Sequence, residues 1–365
     1  MLAATAALFA ACAETDLVNE VNVESNSQAI GFSTFAGKVT RAENSAETKT
    51  QGLEKHHGNF DVWAYKNTMN PAYVFEDVTV SHKEDGDVWE YTPLKYWDKA
   101  ANDYEFYAAA PSREDWELNR GTSAQDDDYF TLVNFALEDK SIPSTEYTES
   151  FKGVTTQDLM IASPENVGEA AILAAQKVNL EFNHILSRLN VTVKKSDVLE
   201  KEKVVLTAIS VKNLPNTGSF DESATEIGVT SSTKRWTTFA SYKGKITGID
   251  LASVEKDASY VIQSLVMPQK VAYEAIDRDG TQNEAAVAPY LEIAYTIGGE
   301  PFNASYNLAN AFGATSDAVA FKEGWQNTLN ITIDASVIVF DAETYEWDVN
   351  VVKDPVFGNE TENTK

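Results

Sequence analysis

The chain has almost no cysteine. A single residue, Cys12, stands among 365, so no internal disulfide staples the fold, and no downstream thiol can ligate a metal or attack a substrate. Histidine is nearly as scarce, with four residues. His56 and His57 are adjacent and would face opposite ways in a strand, which suits no shared metal. His82 falls in a hairpin, and His184 sits on an apolar segment where a hydrogen-bonded core histidine is expected. G-x-S-x-G, H-E-x-x-H and glycine-rich phosphate motifs are all missing, so the sequence points to no catalytic residue, cofactor or metal. Carboxylates are too numerous for any pair to stand out as a glycosidase dyad. Positive charge is also short, with 29 Lys and Arg against 56 Asp and Glu and a net charge of -27. Such a surface repels phosphate backbones and anionic lipid headgroups, which argues against nucleic-acid binding and charge-driven membrane binding. No apolar run approaches the roughly 20 residues that span a bilayer, so membrane attachment is expected only through lipid.

What is present begins at Cys12, which closes a run of small apolar residues over 1–11 and precedes the polar, acidic stretch AETDLVNEVNVESN. That order reads as a lipoprotein signal ending at a lipidated cysteine (1–12) followed by an acidic tether (13–28). A basic n-region is lacking and Phe9 stands three places before the cysteine, so Met1 is expected to lie inside a longer signal. Beyond the tether, short alternating runs rich in Val, Ile, Thr, Tyr and Phe are punctuated by Gly, Asn, Asp and Pro, the pattern of a mostly β chain. The clearest hairpin is AYVFEDVTVSHKEDGDVWEYTPLKYW, where Val78 and Val80 alternate before Asp85 and Gly86 turn the chain into Val88, Glu90 and Tyr91. DYEFYAAAP closes at Pro111 and SYVIQSLVMP at Pro268, because proline offers no ladder donor. Residues 121–128 and 140–156 read as polar surface loops, and Asp126, Asp127 and Asp128 as solvated rather than calcium-binding.

In KVNLEFNHILSRLNVTVKK, Val178, Leu180 and Phe182 alternate, one helical turn is predicted over 184–188, and Val191 and Val193 resume the strand pattern. Length favours two domains, divided near Ala175 into 29–175 and 176–365. Alternation in TLNITIDASVIVF continues through Trp347, Val349 and Val351 into the tail.

Four runs, AIGFSTFAGKVTRAE, FDVWAYK, the pair YTPLKYW and YEFYAAAP, and DLMIASPENV leading to VNLEFNHILSRLNVTV, together resemble the fimbrillin family of Bacteroides-type bacteria. Members of that family are subunits of type V pili and related surface lipoproteins. The acidic Glu14 and Asp16 likewise resemble the tract that sends such lipoproteins to the surface. The resemblance implies two transthyretin-like β-sandwich domains and a non-enzymatic structural subunit, anchored by lipid to the outer membrane and then built into a surface fimbrium. It also implies an assembly route. A trypsin-like protease cuts after an arginine that ends the first strand, and a neighbouring subunit's C-terminal segment fills the vacated groove. The partners implied are other pilus subunits, in a homopolymer or a mixed polymer, the maturation protease, and an unspecified host or bacterial surface ligand.

Arg41 suits that route, being the only arginine before Arg113 and standing between the alternating segment 30–39 and the polar stretch AENSAETKTQG. Cleavage there makes Ala42 the new N-terminus and discards Cys12 with its lipid. In the removed strand Ile30, Phe32, Phe35 and Val39 are the candidate pocket fillers. At about 1.5–3 kcal/mol per buried side chain, four contribute on the order of 6–12 kcal/mol, close to a domain's whole stability of roughly 5–15 kcal/mol. The candidate donor carries Tyr345, Trp347, Val349 and Val351, which read equally well as the last strand of their own domain. Arg41 together with a tail beyond Trp347 favours a stalk subunit. The alternative reading is a glycan-binding surface lipoprotein that stacks sugars on Trp63, Trp89 or Trp116.

Overall fold

The computed structural model describes residues 29–36, 53–55, 57–67, 72–85, 88–121, 128–137, 158–162, 164–224, 235–238, 243–248, 253–270, 289–312, 319–335 and 338–346. The alternating runs form strands, and the protein is mostly β. The first ten are β1 (Phe32–Ala36), β2 (Asn59–Asn67), β3 (Ala72–Lys83), β4 (Val88–Glu90), β5 (Asp103–Ala110), β6 (Trp116–Asn119), β7 (Tyr129–Ala136), β8 (Met160–Ala162), β9 (Glu165–Gly168) and β10 (Val178–His184), with helix α1 (Glu169–Leu173) between the last two. Twelve more follow: β11 (Ser187–Lys195), β12 (Val204–Pro215), β13 (Thr217–Asp221), β14 (Trp236–Thr238), β15 (Lys243–Thr247), β16 (Ser259–Val266), β17 (Gln269–Lys270), β18 (Tyr290–Ile297), β19 (Glu300–Asn307), β20 (Val319–Phe321), β21 (Trp325–Ile333) and β22 (Ile338–Glu346), with helix α2 (Leu308–Ala311) after β19.

An eight-stranded sheet runs β1-β10-β8-β5-β2-β3-β4, with β9 also pairing to β5. The predicted hairpin is its β3–β4 end, where Ser81 opposes Glu90 and Lys83 opposes Val88. Period-two alternation sends Phe60, Val62 and Ala64 of β2 into a core shared with Phe32, Phe75, Phe106 and Phe182, while Trp63 joins Tyr107 and Ala109 in a second core. The second core is closed by the sheet β14-β13-β7-β6, through Trp116, Phe130, Phe220 and Trp236. The large sheet curls until its ends meet. Ala29 forms a β-bridge with Tyr96, just past β4, and Ile30 N–H donates to the Lys95 carbonyl at 2.8 Å.

Two further four-stranded sheets, β16-β11-β21-β22 and β15-β12-β18-β19, sandwich an aliphatic core that includes Val191, Val193, Leu206, Ile209, Ile293, Leu329 and Ile331. β22 lies at the edge of its sheet, paired antiparallel to β21 from Ile338 opposite Ile333 to Glu346 opposite Trp325.

Two sequence expectations differ from what is observed. No helical turn occupies 184–188. β10 ends at His184, β11 begins at Ser187, and only Ile185 and Leu186 lie between. Both link residues are buried and their backbones are bonded elsewhere: Ile185 N–H donates to the Leu159 carbonyl, while the Ile185 and Leu186 carbonyls accept from Trp236 Nε1 and Gly324 N–H. A link held by three other segments has no use for helical bonds, and its two adjacent apolar residues only imitate a helical face. Gly324 is required at this crossing, because its φ is +66° and a Cβ there would lie 3.2 Å from the His184 carbonyl oxygen.

Nor do the sheets change at residue 175. β10, which an Ala175 boundary assigns to the second unit, pairs with β1 and β8 of the first. Residues 170–175 begin in α1, which buries Ile172 and returns the chain to the same sheet. The chain crosses into the aliphatic sandwich at Ile185–Leu186 and comes back at Asn216, between β12 and β13. Asn216 holds that second crossing, since its carbonyl accepts from Leu137 N–H at 2.7 Å and its Nδ2 donates to the Leu137 carbonyl at 3.1 Å.

Candidate functional site

β1 is the terminal strand of the large sheet, and it runs parallel to β10 with Phe32 opposite Val178 and Ala36 opposite Phe182. Its other edge has two separate grips. At the start, the Ile30 carbonyl accepts from the Tyr91 hydroxyl at 2.7 Å, and that hydroxyl also accepts from Lys95 N–H at 3.3 Å. Burial holds the Tyr91 phenol above its ordinary pKa, partly offset by the Lys95 backbone, so the hydroxyl stays protonated and able to donate. Farther along, the Thr34 hydroxyl accepts from Leu53 N–H at 3.3 Å within the short turn Leu53–Lys55.

Between these grips Phe32, 2% exposed, is the anchor. Its ring meets Phe60, Phe75, Tyr91 and Phe106 edge-on, with centroids 5.8, 5.6, 5.7 and 6.2 Å away. Edge-to-face packing of this kind adds about 0.5–1.5 kcal/mol per pair to simple burial. Ile30 and Thr34, two places either side, are also buried. Ser33, on the opposite parity, bonds the Asn179 side chain at the strand surface.

Beyond the far end of β1 lies a second polar cluster. The Asp158 carboxylate, ahead of β8, meets His184 Nδ1 of β10 at 3.0 Å, which makes His184 a hydrogen-bonded core histidine. His57 joins them through a bond from its ring to the Asp158 backbone. It follows the Leu53–Lys55 turn rather than occupying a strand, and its N–H donates to the Leu53 carbonyl at 2.8 Å. Burial lowers the His57 pKa to about 4, with Asp158 opposing the shift and His184 reinforcing it. A third cluster ties the two halves together. Arg235, beside β14, contacts Glu323 ahead of β21 at 2.6 Å and Glu222 at 3.9 Å, and burial pushes the Glu323 carboxyl up to about 8 against the pull of Arg235.

Of the residues singled out in the sequence, Ile30 and Phe32 are brought together in one core and Phe35 stands in β1 opposite Glu181. Tyr345 is placed in β22 opposite Gln326, within the edge strand of its own sandwich. Cys12, Val39, Arg41, Ala42, Trp347, Val349 and Val351 lie outside the described residues. Trp63 and Trp116, the sugar platforms of the alternative glycan-binding reading, are 6% and 5% exposed and belong to the second core. Trp89 is half-buried and packs edge-on against Phe60. Asp128 accepts from Gly121 N–H and pairs with Arg120 at 3.2 Å. Among the described residues no group of three or more His, Cys, Asp or Glu could hold a metal ion, and no helix is long and apolar enough to cross a membrane. Sequence reasoning missed Thr34, Leu53 and Tyr91. The parity shared by Ile30, Phe32 and Thr34 was the one available signal for Thr34.

A mostly β chain whose first strand is an anchored terminal piece, and whose polar clusters fasten segments to each other, has the makings of a structural subunit rather than an enzyme. The chain belongs to the fimbrillin-like family, whose model matches residues 40–347. It is therefore a fimbrial, pilus-type surface protein that associates with other pilus subunits. No curated protein matches the sequence. Among solved structures, a Bacteroides uniformis protein assigned to cell adhesion is 14% identical, with 89% of this chain and 99% of that one covered and a TM-score of 0.49. A fimbrial protein from Bacteroides vulgatus is 16% identical, with 86% and 99% covered and a TM-score of 0.46. The tip fimbrial protein Mfa3 from Porphyromonas gingivalis, C-terminally truncated, is 9% identical, with 88% and 100% covered and a TM-score of 0.41.

Proposed function

We propose that this chain is a pilus subunit made as a lipoprotein on Cys12, trimmed after Arg41 and polymerised by replacement of β1. The observation that carries the reading is the seating of β1. One short parallel ladder, one aromatic anchor and a few flanking bonds hold it, and the candidate cleavage site follows its last residue by five positions. The family match supports it as well, because it starts at residue 40 and leaves β1 outside.

Once β1 leaves, the β10 edge offers unpaired backbone groups beside a pocket of aromatic rings, the conditions under which an added strand binds. Burial of Ile30 and Phe32 alone contributes about 3–6 kcal/mol, so the trimmed subunit is strongly driven to take a replacement. The segment carrying Tyr345, Trp347, Val349 and Val351 is the donor this subunit offers to a neighbour. Trimming also releases the lipid tether, moving the subunit from an outer-membrane precursor to a fimbrium that presents an adhesive surface. Low-dose trypsin on purified precursor tests this. A stable core beginning at Ala42, forming ladders on denaturing gels without boiling, is expected; indiscriminate digestion overturns the reading.

A further inference from the structure

The groove under β1 is a set of three unlike subsites. The first, at Ile30, takes an aliphatic side chain and reads the incoming backbone through the Tyr91 hydroxyl and the Lys95 carbonyl. The second, at Phe32, is walled by Phe60, Phe75, Tyr91 and Phe106 and fits one six-membered ring. The third, at Thr34, presents the N–H of fully buried Leu53 and so asks for a small side chain with an acceptor oxygen. Shifting the strand by one residue would turn Gly31 and Ser33 inward, and shifting it by two would put a ring or a hydroxyl in the wrong subsite.

This chain's own candidate donor does not match that order. With Trp347 in the ring subsite, its flanking inward residues are Tyr345 and Val349, whichever way the strand runs. The indole is larger than the ring it replaces, and neither neighbour is a small residue with an acceptor for Leu53 N–H. We infer that the groove is built for a strand from a different subunit, one carrying aliphatic, aromatic and small hydroxyl-bearing residues at alternate positions, so that assembly at this groove is between unlike chains. The inference rests on the strand-replacement reading above and decides the partner within it.

Overfilling a packed pocket and stranding a buried donor each weaken binding by about tenfold or more. The test uses precursor cut after Arg41 and fluorescent peptides competing for the groove. The peptides are AIGFSTFAGKV, its Phe32→Trp and Thr34→Val versions, and the tail segment ETYEWDVNVV. Capture of the first peptide is expected, with about tenfold weaker capture of each altered version and of the tail. Tail capture as tight as that of AIGFSTFAGKV overturns the inference and leaves strand replacement standing. If the cut protein captures none of the peptides, AIGFSTFAGKV included, strand replacement itself fails. Thr34→Val and Phe32→Trp in the uncut chain, followed by thermal unfolding, supply a second readout: the same rank order is expected, and no loss for either variant overturns the subsite assignment.

Discussion

The two cores of this molecule that could most easily be mistaken for equivalents are built from different material. Around β1 a cluster of rings, Phe32, Phe60, Phe75, Tyr91, Phe106 and Phe182, packs among smaller apolar residues such as Ile30, Val62 and Leu180. In the sandwich of β11, β12, β16, β18 and β21 they are mainly Val, Leu and Ile. An aliphatic core is forgiving, because branched side chains of similar volume repack with little loss. A cluster of edge-on rings is not, since each ring has one orientation its neighbours accept. The forgiving material therefore lies where the chain closes its own fold, and the exacting material where one strand enters from the far side of Arg41. Under the proposed replacement of β1, selectivity needs an exacting receptor.

The largest effect should come from removing the anchor. Phe32→Ala deletes a buried ring with four aromatic neighbours, and such changes cost about 3–5 kcal/mol. Hydrogen exchange should accelerate across β1, β10 and β2 while β11 and β21 remain protected. Equal loosening of both regions would show that the ring cluster has no independence.

Arg235→Ala probes what joins the two regions. It strands Glu323 and Glu222 in a largely buried site, and breaking such pairs costs several kcal/mol, here about 3 because the Glu323 carboxyl can take a proton. Adding Glu323→Gln should restore part of the loss in a double-mutant cycle. A single cooperative melt for the native chain that splits in two for Arg235→Ala would identify this cluster as the coupling between regions. An unchanged melt would locate the coupling in the Ile185–Leu186 and Asn216 crossings instead.

How much of this was legible in the sequence depends on the range of the signal. Alternation within β5, β10 and β21 was readable because period two is a local property of each run. The β3–β4 hairpin was readable because Asp85 and Gly86 announce its turn. The crossings were hidden, since nothing near Ile185 says that Leu159, Trp236 and Gly324 will meet its short link. Trp63 and Trp116 illustrate the same limit: an aromatic residue in a strand looks identical whether it faces solvent or a second sheet. The readings of Arg41 and of the tail past Glu346 rest on sequence pattern alone, whereas the Tyr91 grip on Ile30 needed the curl of the whole sheet to bring its two ends together.

Acid should separate the two regions next. All four histidines precede β11, and burial lowers the pKa of His57 from 6.5 to about 4. Between those values the unfolded chain holds a proton that folded His57 refuses. Its contribution is therefore fully present above pH 6.5 and is lost as pH falls toward 4, by about 3 kcal/mol in all. Chemical denaturation at pH 7 and pH 4.5, read by exchange at β8 and β10 against β21, should show the loss concentrated in the first pair. His57→Gln should flatten that dependence. A pH response shared equally by β21 would assign the acid sensitivity to the carboxylates common to both regions.

The smallest expected effect is the most discriminating for the groove. Tyr91→Phe keeps the ring that packs on Phe32 and Phe75 and removes only the hydroxyl that donates to the Ile30 carbonyl. A net cost of about 1 kcal/mol is expected for one such bond, a few degrees in melting temperature at most. The aromatic anchor and the β10 ladder stay in place, so the strand should remain bound but lose one of the contacts that fix its axial position. Release of the cut strand from precursor cleaved after Arg41 should then quicken by about fivefold, while the aliphatic sandwich unfolds as before. If release does not change, the Tyr91 hydroxyl contributes nothing to holding β1, and the aromatic subsite together with the Lys95 carbonyl sets the register at this end of the groove.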